Sequence, residues 1–124
     1  MGWLSRLLGL EPETAPPAGK SYTIGIVGES KKNIDGSSRQ TIIKRCHEGQ
    51  RVRLVAEPDN PYDGAAIFVC TERGEGLGYI SRDHNEWIGK KLAKGQLLDS
   101  RIYAVIGGDK ERRSVGVLLS LTFA

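Results

Sequence analysis

Residues 50–80 read QRVRLVAEPDNPYDGAAIFVCTERGEGLGYI, and this stretch predicts three consecutive antiparallel strands. Residues 50–57 alternate apolar and polar side chains, which is typical of a strand with one buried face. Ala65–Thr71 and Leu77–Ile80 are short β-rich runs, and Arg73–Gly76 supplies the glycines of a tight hairpin turn between them. The alternation and the turn residues therefore favour a sheet built from local hairpins.

The loop between the first two strands, EPDNPYDGAAI at residues 57–67, is longer than a hairpin needs. Its two prolines fix φ and restrict the residues before them, so we expect the loop to be stiff. It displays Asn60, Tyr62 and Asp63 in a set geometry, and a rigid loop with a tyrosine between polar groups suits the stacking of a nucleic-acid base. In the structural alternative, the Asn and Asp side chains satisfy only the loop's own amides, as turn residues often do.

Outside this stretch, the chain adds three more strands and two helices. The predicted elements are strands at Tyr22–Val27, Leu98–Ile106 and Ser114–Phe123, and helices at residues 39–47 and about 81–94, the second with Ser81 as its N-cap. Strands in local hairpins with two interspersed helices predict a mainly β fold. We expect a small OB-like or SH3-like antiparallel β-barrel of about six strands with two α-helices.

The N-terminal residues differ in character from this domain. Residues 2–9 place a tryptophan and three leucines on one side of a helix, and the following EPETAPPAGK is typical of an extended linker because proline cannot continue a helix. We therefore expect a short amphipathic segment with a Pro-rich linker at residues 1–20 and the barrel domain at residues 21–124. The amphipathic segment either folds back onto the domain or docks on a partner or a membrane surface.

The composition narrows the class of protein. The chain has 124 residues, a formal net charge of +3 and sixteen glycines, and a glycine share above the average of about 7% favours strands and turns. The weak basic excess permits nucleic-acid binding without requiring it. Two cysteines without a Cys-x-x-Cys spacing exclude a zinc site as the organising principle. No apolar run approaches the ~20 residues of a membrane span, and the first residues lack a secretory signal, so we expect a soluble, cytoplasmic protein.

The candidate catalytic groups are not spaced along the sequence as in known catalytic or phosphate-binding motifs. His47 and His84 lie in charged helical stretches without a nucleophile at a useful distance in the sequence. The carboxylates within residues 57–63 lack the second strand with a matching carboxylate and lysine that a two-metal nuclease needs. The glycine-rich segments match neither a P-loop nor a dinucleotide-binding motif. We therefore predict a protein that is not an enzyme and that carries no metal or other cofactor.

The run RVRLVAEPDNPYDGAAIFV at residues 51–69, followed by RGEGLGYISRD at residues 73–83, resembles the HIRAN domain family. The resemblance covers roughly residues 22–123 and includes the IVGES and RQ elements at residues 26–30 and 39–40. It implies an OB-like barrel with two helices that binds the 3′-terminal end of single-stranded DNA. Family members also occur fused to fork-remodelling translocases, so a helicase or nuclease is the implied class of protein partner.

The resemblance also implies a role for individual residues of this sequence. Tyr62 matches a tyrosine that stacks on the terminal base, and Asp63 matches an aspartate that accepts a hydrogen bond from the free 3′-hydroxyl. Asn60 matches an asparagine of the same pocket. Tyr79 falls at a phosphate-facing position, and Arg82 matches a basic phosphate contact.

The sequence departs from the translocase members just after the first strand. Those members carry an Arg-Tyr pair there, whereas residues 28–32, GESKK, contain no aromatic ring. Lys31 and Arg39 are then the candidates that replace a ring by charge, which makes binding more dependent on salt. The alternative function is a protein-interaction adaptor that has lost DNA-end binding, with WLSRLLGL at residues 3–10 as its docking peptide.

Overall fold

The computed structural model describes residues 19–124, in which the strands and helices follow in the predicted order. The strands are β1 (Lys20–Val27), β2 (Val52–Ala56), β3 (Ile67–Thr71), β4 (Gly76–Ile80), β5 (Leu97–Gly107) and β6 (Val115–Phe123), and the helices are α1 (Arg39–Lys44) and α2 (Asn85–Ala93). The predicted mainly β fold is confirmed. The predicted amphipathic segment and nearly all of its linker lie outside the described residues. Neither described helix is long or apolar enough to cross a bilayer.

The six strands form one antiparallel sheet in the order β2-β3-β4-β1-β6-β5. Strand β1 joins its two halves, because its first six residues pair with β6 and its last two pair with β4. The edge strands β2 and β5 approach each other at a bridge between Arg51 and Arg101. The Ser100 hydroxyl also donates to the Val52 carbonyl at 2.7 Å. The sheet therefore curls into a half-barrel of the OB-like kind.

The core fills the inside of this curled sheet. In β1, Ile24 and Ile26 are buried while the residues between and beside them are exposed or half-buried, as the alternation of a strand requires. Each helix contributes one fully buried isoleucine, Ile43 from α1 and Ile88 from α2. Burial of such a side chain contributes about 1.5–3 kcal/mol. The helices are therefore held by the same core as the sheet.

Helix α1 ends earlier than the sequence predicts. The backbone amides of Arg45 and Cys46 donate to the carbonyls of Ile42 and Ile43, three residues before each of them. Such bonds tighten the last turn and end the helix. The prediction of a helix to residue 47 is therefore wrong by three residues.

Helix α2 begins later than predicted, and Ser81 is not its N-cap. The Ser81 carbonyl accepts hydrogen bonds from the amides of His84 and Asn85, both at 3.0 Å, and its hydroxyl accepts from the Asp83 amide at 3.2 Å. Residues 81–84 therefore form a separate turn, and His84 is the N-cap. This turn carries Arg82 and Asn85 to the end of β4, beside the loop that follows β2.

Candidate functional site

The loop between β2 and β3 is organised by the side chain of Asn60. Its Oδ1 accepts hydrogen bonds from the backbone amides of Tyr62 at 2.9 Å and of Asp63 at 3.2 Å. Its Nδ2 donates to Glu57 Oε1 at 3.0 Å. Asparagine commonly forms such turns with the amide two residues ahead. The Asn60 amide thus bonds to the loop's own groups, and its effect on a ligand is to hold the next two residues in place.

Tyr62 is the most exposed aromatic residue of the described chain, with 86% of its surface accessible. Its backbone is held on both sides, since its amide bonds to Asn60 and its carbonyl accepts from Arg82 Nη2 at 3.2 Å. An aromatic ring on a fixed backbone loses little entropy when a flat ligand stacks on it. The position is therefore suited to a π-stacking contact with a base.

The Asp63 carboxylate, at the residue after Tyr62, is held by two hydrogen bonds and one ion pair. Its Oδ1 accepts from the Ala65 amide at 2.9 Å, and its Oδ2 accepts from Asn85 Nδ2 at 2.8 Å. Arg82 Nε lies 3.5 Å from the same Oδ2. The Ala65 amide, and after it Asn85 and Arg82, hold the pKa of Asp63 below its ordinary value. The carboxylate is therefore ionised at neutral pH, and 24% of the side chain stays exposed.

Asn85 is a member of the site that the sequence did not indicate. It is the first residue of α2 and is only 3% exposed. Its amide points at Asp63, which lies 22 positions earlier in the chain. A polar residue at the start of a helix is a signal for such a role, but the predicted helix start at Ser81 placed Asn85 inside the helix. Only the folded chain shows that this buried amide fixes the carboxylate.

Tyr79 and Glu57 form a second pair next to this loop. The Tyr79 hydroxyl donates to Glu57 Oε1 at 2.7 Å, on the same oxygen that accepts from Asn60. Burial, and then the hydrogen bond to Glu57, raises the pKa of the Tyr79 phenol. The phenol is therefore neutral and its proton is committed to a carboxylate. In the free protein, Tyr79 does not offer that proton to a phosphate.

Arg39 is built into the fold, with 8% of its surface exposed. Its Nε donates to Asn33 Oδ1 at 2.8 Å and its Nη1 donates to the Gly28 carbonyl at 2.9 Å. The guanidinium carbon lies 5.9 Å from the centre of the Phe68 ring and 5.5 Å from that of Tyr79. Arg39 therefore braces the loop between β1 and α1 against the rings of β3 and β4.

Five of the seven predicted site residues are linked directly or through Glu57 by these contacts: Asn60, Tyr62, Asp63, Tyr79 and Arg82. Arg39 joins them through the ring of Tyr79. Lys31 lies exposed in the loop between β1 and α1, and within the described residues its side chain is not part of this network. The arrangement offers an open ring, an ionised acceptor and an exposed guanidinium, which together suit the end of a flexible, negatively charged chain.

Comparison with known proteins agrees with this fold. The family model of the HIRAN domain, which describes the sequences of that family, matches residues 27–122 of this chain. A crystal structure of a protein from Lactobacillus plantarum has a TM-score of 0.61 and 26% sequence identity, and the match covers 86% of this chain and 98% of that one. The crystal structure of the HIRAN domain of human HLTF has a TM-score of 0.59 and 18% identity, and the match covers 83% of this chain and 74% of that one. Among curated protein sequences, none matches.

Proposed function

Because the chain belongs to the HIRAN domain family, we propose that it is a nucleic-acid-binding module that captures single-stranded DNA at its free 3′-hydroxyl end, without catalysis of its own. One observation carries this proposal. The loop after β2 presents the 86% exposed ring of Tyr62 and, at the next residue, the ionised carboxylate of Asp63. The ring is a platform for a base, and the carboxylate is an acceptor for a hydroxyl.

Charge decides which kind of end such a site accepts. An ionised carboxylate only accepts hydrogen bonds, so it binds a hydroxyl. A terminal phosphate carries about two negative charges near neutral pH and is repelled. Arg82, whose side chain is 75% exposed beside Asp63, offers a cation to a phosphate within the strand. Since every base has a π-face, stacking on Tyr62 selects an end without selecting a sequence.

A binding module needs a catalytic partner to process the captured end. We therefore extend the proposal to a helicase or nuclease that acts on the same DNA end, as in DNA repair, and to a cytoplasmic location. Asp63 favours a free 3′-hydroxyl, so the partner enzyme is one that exposes or leaves such an end.

The direct test is fluorescence anisotropy with the full chain and a short labelled single strand that carries either a 3′-hydroxyl or a 3′-phosphate, at two salt concentrations. The hydroxyl form should bind more tightly, and this preference should persist when salt is raised, because it depends on a local contact and not on counterion release. Asp63→Asn should remove the preference, because a neutral amide does not repel a phosphate.

A matched pair of tyrosine variants distinguishes the loss of stacking at Tyr62 from the general effect of removing an exposed ring. Tyr62→Ala should weaken binding about 5- to 150-fold, the equivalent of the ~1–3 kcal/mol that one stacked base contributes. Tyr103→Ala, which removes another exposed ring, on β5, should bind as the unmodified chain does. Equal binding of the two oligonucleotides would refute end recognition, and no binding of either would favour the adaptor function.

A further inference from the structure

A concave feature lies next to Tyr79 and Glu57, the pair that also contacts the Tyr62 loop through Asn60. It is an open groove of about 530 Å³ between the turn at residues 33–37 and the sheet. Its lining includes Ile34 on the turn, and Phe68 and Tyr79 on β3 and β4. Sites that hold small molecules commonly measure about 300–1,000 Å³, so the groove is large enough for one nucleoside.

The turn that forms one wall is fastened to the rest of the domain. The Gly36 amide donates to the Asn33 carbonyl at 2.9 Å and closes the turn. The side chain of Asn33 donates to the Gly76 carbonyl at 3.1 Å and accepts from Arg39 Nε at 2.8 Å. At the apex, Ile34 is completely exposed, with a relative accessibility of 109%. A β-branched apolar side chain is thus held in water on a rigid support beside the groove.

Flat groups lie at the bottom of the groove. The rings of Phe68 and Tyr79 have centres 5.3 Å apart, and the guanidinium of Arg39 lies over both. Rings and a planar guanidinium are the groups on which unpaired bases stack. The rim carries two exposed arginines, Arg45 and Arg73. Arg45 has a side chain that is 65% exposed and reaches only one carboxylate oxygen, of Glu75 at 3.5 Å.

We propose that this groove is a subsite for an internal nucleotide, the second or third from the 3′ end. Its base lies against Phe68, Tyr79 and the Arg39 guanidinium that lies over their rings. Ile34 covers the base from the turn, and Arg45 and Arg73 receive its phosphate. The inference rests on the proposed function, because it assumes that the terminal nucleotide is at Tyr62. Tyr79 connects the two places, since its ring lines the groove and its hydroxyl reaches the Tyr62 loop through Glu57.

The charges favour a nucleotide over an apolar peptide as the occupant. The lining also includes the carboxylates of Asp35, Glu57 and Glu75, which accept hydrogen bonds from Ser37, Tyr79 and Arg45 respectively. The exposed Arg73 and the remaining donors of Arg45 match a phosphate, and the π-groups below them match the base attached to it. An apolar peptide would leave the exposed Arg73, and the part of Arg45 that Glu75 does not contact, against an uncharged ligand. The single apolar side chain at the apex then acts as a cover for the base and not as the centre of a protein interface.

The test places one abasic residue at successive positions of a short single strand with a free 3′-hydroxyl and measures anisotropy with the full chain. For the unmodified chain, an abasic residue at position 2 or 3 should weaken binding about tenfold. The Ile34→Ser variant should bind the intact strand severalfold more weakly and show a clearly smaller further loss at that one position. Leu98→Ser, at an exposed leucine of β5, is the control and should keep the full abasic penalty.

This experiment can refute the subsite without refuting the proposed binding of the 3′ end. If an abasic residue at the terminal position and Tyr62→Ala both weaken binding while Ile34→Ser leaves every affinity unchanged, the end site stands and the subsite is refuted. Equal weakening of all strands by Ile34→Ser, with the abasic penalty intact, also refutes the subsite. If no strand binds the unmodified chain, both proposals fall together.

Discussion

Replacement of Arg39 by lysine should destabilise the domain although it keeps the positive charge. The arginine is buried, and its guanidinium donates to two neutral oxygens, on Asn33 and Gly28, while it covers two rings. A lysine ammonium is a compact, strongly hydrated charge without the planar fork of arginine. It cannot reach both oxygens and cover the rings at the same time.

The size of the effect follows from the contacts that are lost. One hydrogen bond to a charged group contributes about 1.5–3 kcal/mol, and the cation–π contact adds about 0.5–1 kcal/mol. We therefore expect Arg39→Lys to lower the free energy of unfolding by about 2–4 kcal/mol, out of a typical total of about 5–15 kcal/mol. For a domain of this size, that loss corresponds to a Tm lower by roughly 10–20 °C.

The assay is thermal unfolding followed by circular dichroism, with Arg53→Lys as the matched control. Arg53 is an exposed residue of β2, so its replacement should change the Tm by less than about 2 °C. If Arg39→Lys also unfolds within about 2 °C of the unmodified chain, Arg39 does not brace the loop. The positive charge of the residue, which lysine keeps, would then be sufficient at this position.

The other predictions concern Asn85 and a glycine of β4. Asn85→Asp places a carboxylate against Asp63, and two adjacent carboxylates raise the pKa of one of them. In the unmodified chain, the pKa of Asp63 is lower in the folded state than in the unfolded state. The ionised carboxylate therefore stabilises the fold above the ordinary aspartate pKa of about 3.9, and this contribution is lost as the pH falls through the pKa of the folded state. In the variant, one carboxyl has a raised pKa in the folded state, so the fold loses stability as the pH rises through that pKa. The urea midpoint of the variant should therefore be lower at pH 8 than at pH 5. Equal midpoints would contradict the contact between residues 63 and 85. Gly78→Ala should cost about 1–3 kcal/mol in urea unfolding, because a Cβ there would lie 2.5 Å from the Val27 carbonyl oxygen. Gly89→Ala, with nothing closer than 3.9 Å, should be neutral or stabilising, and similar losses for both would show that the close approach is unimportant.

Local patterns predicted most of the fold because strands and turns obey short-range rules. The alternation at residues 50–57 and the glycines of residues 73–76 indicated the hairpins, and the order of elements agrees with the structure. The boundaries of the helices were harder to predict. Ser81 has the chemistry of an N-cap, but its carbonyl closes a separate turn and His84 caps the helix. The choice between two adjacent starts depends on how α2 packs, which a local pattern does not contain.

In the candidate site too, local features could be predicted from the sequence, whereas contacts between distant residues could not. The prolines around residues 58–61 predicted a stiff loop with Tyr62 at its surface, and the structure has Tyr62 exposed there. The sequence did not indicate that Asn85 supports Asp63, or that Arg39 is buried and not exposed. Each of these facts concerns two residues that are far apart along the chain.

The sequence by itself determined the periodicity of the strands, the chemistry of the turns and the residue types that the loop after β2 offers. Only the tertiary structure decided which of those groups meet: the amide of Asn85 with the carboxylate of Asp63, the hydroxyl of Tyr79 with Glu57, and the turn of Ile34 with the face of β3 and β4. The physical reason is that dihedral preferences act within a few residues. Burial and hydrogen bonding instead depend on where the curled sheet brings distant parts of the chain together.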